Sequence, residues 1–166
     1  MSTLSHTFPT PLTAFRSSWR TLVFANDGSY SQALLRIVAA LVLLPHGMQH
    51  FLGFFGGHGF AGTLQWMTGT LGFPAALAAP AILLEFFGPV LLLAGVATRP
   101  IAAALACFMA VAASTHLSNG FFMNWFGTLP AGVEGFEYHL LAVAILVAIA
   151  ARGGGAFAVD RWLARS

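Results

Sequence analysis

Four apolar windows, at residues 33–52, 75–97, 101–117 and 132–151, constrain this chain more than any other feature. Crossing roughly 30 Å of hydrocarbon at about 1.5 Å per residue takes about 20 mostly apolar residues. The first three windows meet that need directly. The fourth opens on Glu134, Glu137 and His139, so its unbroken apolar core, 140–151, spans only if the polar first turns are included. Composition agrees with a lipid solvent: charged residues make up 7% of the 166, and mean hydropathy is +0.81. A soluble chain of this length would need far more charge to cover its surface. The expectation is an all-α fold, a polytopic membrane four-helix bundle with short interfacial helices.

Arginine placement orients it. Four spans put residues 1–32, the turn at 98–100 and the segment after 151 on one side of the membrane, and every arginine falls there: Arg16, Arg20, Arg36, Arg99, Arg152, Arg161 and Arg165. The positive-inside bias makes that side cytoplasmic, with both termini there, as in a bacterial inner membrane. The residues after Arg20 offer no apolar stretch long enough for a cleavable signal, so targeting falls to the first span.

Two connecting segments carry amphipathic spacing. Leu12, Phe15, Trp19 and Leu22 recur at steps of three and four beside Arg16 and Arg20, the pattern of a helix lying on the inner leaflet. Phe60, Leu64, Met67 and Leu71 repeat it between the first two spans, where either a surface helix or a plain loop satisfies the pattern. Gly153 to Gly155 end the fourth helix, and a short helix or tail follows from Asp160. Small residues mark packing faces: Ala103, Ala106, Ala110 and Ala113 in the third span, Gly88 and Gly95 in the second.

The composition also excludes some functions. A computed pI near 9.3 reflects a surplus of two charges, with no basic run to track nucleic-acid phosphates. Cys107 stands alone, which excludes an intrachain disulfide, a CxxC pair and a thiolate zinc site.

Ionisable groups inside a span need a partner or a task. Glu85 lies near mid-membrane on the face of Gly88, Leu92 and Gly95, and so toward the bundle interior. It suits a proton carrier, a ligand contact or a hydrogen-bonded structural carboxyl. His46 and His50 are four apart near the outer end of the first span, a spacing that suits a shared metal or two solvated rings. Pro45 frees the Leu41 carbonyl and kinks the helix beside them. His116, Asn119, Glu137 and His139 gather at the same end. Glu137 and His139 differ by roughly 200° around the helix, so only one faces inward; the small residues on its face point to Glu137. His46, His50, Glu85, His116 and Glu137 are therefore expected to line one outward-opening cavity, with Phe86, Phe122 and Trp125 among its aromatic walls. Such a cavity fits a quinone: aromatic packing for the ring, His and Glu for its carbonyls, lipid access for its tail.

Several of these residues occur in a recognisable order. LeuLeuArg at 34–36, HisGly at 46–47, GlyPheAlaGlyThr at 59–63, Glu85 with Gly88, ThrArg at 98–99, GlyPhePhe at 120–122, GluTyr at 137–138 and the glycines leading to Asp160 resemble the DoxX family. The resemblance implies a four-helix inner-membrane protein associated with subunits that pass electrons from sulfur compounds to quinone. One departure is the sequence after HisGly, Met48, Gln49 and His50, where the family pattern often has a basic residue. A titratable group there in place of a fixed cation would weaken binding of an anionic substrate. Three functions follow as expectations. They are a quinone-linked oxidoreductase or its quinone-binding subunit, a non-catalytic anchoring subunit of a redox complex or homo-oligomer, and a small proton-coupled transporter.

Overall fold

The computed structural model describes residues 23–128, 130 and 133–164. The amphipathic pattern at Leu12 to Leu22 lies outside them. Four helices make the bundle: α1 (Tyr30–Leu52), α3 (Ala75–Ala94), α4 (Thr98–Thr115) and α5 (Glu137–Arg152); the shorter α2 (Gly59–Gly69) and α6 (Asp160–Leu163) flank it. α1 packs mainly on α3, α4 mainly on α5, and α3–α4 and α1–α5 contacts join the two pairs. The fold is all-helical among the described residues, and α1, α3 and α4 are each long and apolar enough to cross a membrane.

Burial is arranged for lipid. Leu34, Leu41, Leu77, Leu83, Val111, Leu141 and Val147 face outward, while Gln32, Arg36, Glu85, Thr98 and His139 are buried. In water that distribution would be unstable; in a bilayer the exposed apolar faces meet acyl chains, and Arg36 and Glu85 find partners inside. α1 gives the clearest line, Arg36, Ala40, Leu43 and Gly47, which runs down its buried face at steps of three and four and reaches His50 one step on.

α5 is shorter than its window. Residues 133–136 run as a connection instead of a first helical turn, because the Phe136 and Glu137 amides donate to the Gly120 and Phe121 carbonyls, at 3.3 and 2.9 Å. Gly132 lies outside the described residues. The segment 59–69 resolves as a helix, α2, that packs on α1 and α3 with Thr63 buried. The small-residue stripe on α4 is a correction. Ala102, Leu105, Ala106 and Met109 face the core, whereas Ala103 and Ala110 are exposed, since the inward face is set by the fit of Leu105 against Gly88.

At the arginine end the chain ties itself together. Arg36 is 1% exposed and donates to four carbonyls: Nε to Gly154 at 2.8 Å, Nη1 to Leu92 at 2.5 Å and Leu93 at 2.7 Å, and Nη2 to Ala156 at 3.3 Å. Leu92 and Leu93 lie in the last turn of α3, where carbonyls lack the regular amide four residues on, Leu92 being met also by the Gly95 amide at 3.0 Å, and where the dipole favours a cation. Asp160 performs the opposite task. α4 has no local capping side chain, and the Asp160 carboxylate accepts from the Ala97 and Thr98 amides at 2.7 and 2.8 Å. Ala97 sits at φ 47°, a left-handed conformation unfavourable for a side-chain-bearing residue, and this cap holds it there. Residues 153–156, 158 and 160 are thus buried under the bundle, fastened also by Asn26 and Ser29, and do not trail away as a surface tail. Asp160→Ala is expected to lower stability by about 2 kcal/mol, through a lost cap and two orphaned amides; thermal unfolding in detergent micelles measures this.

Candidate functional site

Glu85 projects from α3 toward α1, where the imidazole of His50 meets it: Nδ1 to Oε2 is 2.6 Å. The two partners differ in exposure, with side chains 38% (His50) and 10% (Glu85) accessible. Gly47 makes the meeting possible. One turn before His50, its missing side chain lets the α1 backbone rest on α3, so closely that a Cβ there would lie 2.2 Å from the Glu85 carbonyl oxygen. A single proton between Nδ1 and Oε2 makes the pair ionic when it sits on nitrogen and neutral when it sits on oxygen, which is the property an acid–base site requires.

Aromatic rings flank the pair. Phe51, next to His50, stacks on Phe86, next to Glu85, with centroids 5.0 Å apart and planes 26° apart; Phe87 and Phe60 complete the group edge-on. Phe87 is exposed on the lipid face, so the group runs from the pair to the bilayer. Phe86 thus lies beside the pair, whereas Phe122 and Trp125 are 74% and 70% exposed on the connection after α4.

Among the described residues, none of the remaining polar side chains the sequence singled out is hydrogen-bonded to the Glu85 carboxylate. His46 and His50 part company, His50 toward Glu85 and His46 toward the Tyr138 ring at 6.3 Å. The described residues contain no cluster of three or more His, Cys, Asp or Glu side chains arranged to hold a metal. His116 at the end of α4 places Nδ1 2.8 Å from the Glu134 carbonyl, which Asn119 also reaches at 3.0 Å. A carbonyl only accepts, so His116 carries its proton on Nδ1. Glu137 is the further correction. Its Oε2 accepts from the Met123 amide at 3.1 Å and the Trp125 indole at 3.4 Å, so it staples the α4–α5 connection while His139, 8% exposed, takes the inward position. The competing demand was local: the orphan amides of that connection claim the first carboxylate of the helix.

Sequence reasoning missed Gly47 and Tyr138 as parts of this end of the bundle, and placed His139 there but turned it away from the core. Gly47 did carry a signal, since a glycine mid-span on the line of Arg36 and His50 marks a close helix approach.

A family model for DoxX matches residues 31–125, more than half of the 166-residue chain. No curated protein and no solved structure matches it. The matched region contains α1 through α4, the Gly47 contact, the His50–Glu85 pair and the turn at Arg99, and ends before α5. On that match, the chain is a membrane protein of the DoxX family.

Proposed function

We propose that this protein is a quinone-binding subunit of a membrane oxidoreductase, with the His50–Glu85 pair as its proton-exchange site. One observation carries the reading: a buried carboxylate hydrogen-bonded at 2.6 Å to a half-open imidazole, beside an aromatic stack that reaches lipid. Reduction of a quinone to a quinol takes two electrons and two protons. The two electrons come from a redox group in a partner subunit; the pair gives one proton to a carbonyl oxygen and is reprotonated from the aqueous phase through the half-open His50, and the second proton also comes from the aqueous phase. The Phe51–Phe86 stack offers the ring an apolar surface, and Phe87, exposed on the lipid face, leads the tail into the bilayer. The end of the bundle that carries Arg36, Arg99 and Arg161 faces the cytoplasm of a bacterial inner membrane, and the histidine end faces outward.

The test is quinone binding by protein in lipid nanodiscs. Wild type is expected to bind a short-tailed benzoquinone, and Glu85→Gln and His50→Ala each to weaken it about tenfold or more, the worth of a hydrogen bond to a charged group. Wild-type affinity in both variants removes the pair from the function.

A second reading, an anchoring subunit, is favoured by α4, whose outward face is small: Ala103, Ala104, Cys107 and Ala110 are all exposed. In lipid such a face lets another helix approach closely. Because Cys107 is the sole cysteine, oxidative cross-linking in native membranes reports a neighbour there: a specific adduct supports assembly through α4, and an unmodified monomer argues against it.

A further inference from the structure

Beside the His50–Glu85 pair, the first turn of α5 carries two polar atoms that the described residues leave without a hydrogen-bond partner, Tyr138 Oη and His139 Nδ1, both fully buried. Such atoms are rare in folded proteins, because each is desolvated without compensation, and in a bilayer water is not at hand to relieve them. The two residues stand in a row of rings across this end of the bundle. His46 lies 6.3 Å from Tyr138, Tyr138 5.6 Å from His139, and His139 4.8 Å from His116. The row borders the pair: His46, whose ring meets Tyr138, precedes His50 by one turn on α1. Neither residue is needed to hold the connection after α4, which Glu134 and Glu137 already fasten.

We infer that Tyr138 and His139 form a second hydrogen-bonding pole, which holds the carbonyl of a bound quinone opposite to the one met by the His50–Glu85 pair. The inference rests on the quinone reading of that pair. It assigns the tyrosine hydroxyl as the donor to a carbonyl oxygen, an atom that only accepts, and His139 as the neighbour that positions it. A para-quinone, with acceptors at both ends of one flat ring, is the ligand class with two such poles to satisfy.

Tyr138→Phe removes only the hydroxyl, and His139→Phe exchanges the imidazole for an apolar aromatic ring. In nanodiscs without ligand, both variants are expected to unfold at the wild-type temperature or above it, since a buried atom without a partner is removed. Benzoquinone affinity is expected to fall about tenfold in Tyr138→Phe and to a smaller degree in His139→Phe. A purely structural role would show the reverse, a lower unfolding temperature with binding unchanged, and would overturn the assignment. If Glu85→Gln loses affinity while both α5 variants bind as wild type, the second pole is wrong and the reading of the pair stands. If wild type binds no benzoquinone, both fall together.

Discussion

Replacing Arg36 with leucine is expected to destabilise the bundle by about 3–5 kcal/mol, the usual consequence of breaking a buried charge assembly from one side. Four carbonyls lose a guanidinium donor at once, two of them in the last turn of α3, where Leu92 keeps the Gly95 amide, and the Asp160 carboxylate loses a nearby cation. Lysine is expected to recover little. Its ammonium is a single point with three donors, whereas the guanidinium spreads its donors across α3 and the 153–156 segment in one plane. Thermal unfolding of the variants in micelles or nanodiscs measures the loss. Arg36→Leu combined with Asp160→Asn is expected to fall less than the sum of the two single changes, because they remove opposite ends of one electrostatic interaction. Strict additivity would show that Arg36 and Asp160 act separately.

Gly47→Ala is expected to disable the site from a distance of one helical turn. The added Cβ would lie 2.2 Å from the Glu85 carbonyl oxygen and 2.6 Å from the Phe86 Cα, and both are backbone atoms that no rotamer change can move. α1 and α3 must therefore separate by about 1 Å or more to reach ordinary contact. The 2.6 Å bond between His50 and Glu85 spans that same seam and opens with it. Overpacking of this kind costs about 1–3 kcal/mol, and benzoquinone affinity is expected to drop alongside stability. Gly69→Ala is the matched control: nothing lies within 4 Å of a Cβ there, so the change is expected to be neutral or stabilising by up to about 1 kcal/mol. Wild-type affinity in Gly47→Ala would separate the helix contact from the site.

Much of this architecture was legible in the residues alone, for a physical reason. Lipid leaves a helix no choice about its backbone hydrogen bonds, so apolar length identifies the spans at α1, α3 and α4. Glu85 was equally legible, because its face carries Gly88 and Leu92 and both are buried beside it. What the residues concealed was competition for polar partners. Arg36 counts as a cytoplasmic charge by position, yet the carbonyls ending α3 draw it wholly into the fold. Glu137 looked inward by the small residues on its helical face, yet the Met123 amide and the Trp125 indole took it, leaving His139 inside. Phe122 and Trp125 have the composition of a pocket wall, but whether an aromatic lines a cavity depends on where an irregular connection runs. The pairing of His50 with Glu85 joins residues on separate helices, and only the depth of the Gly47 contact brings them within hydrogen-bond range.

The central claim is that Glu85, held by His50 inside the bundle, exchanges a proton with a bound quinone. Infrared difference spectroscopy of the nanodisc protein with benzoquinone bound, taken between its oxidised and reduced forms, tests this at the carboxyl itself. The expected result is a carboxyl-stretch change on reduction that disappears in Glu85→Gln and is altered in His50→Ala. Difference spectra identical in wild type and Glu85→Gln, with quinone bound in both, would contradict the account.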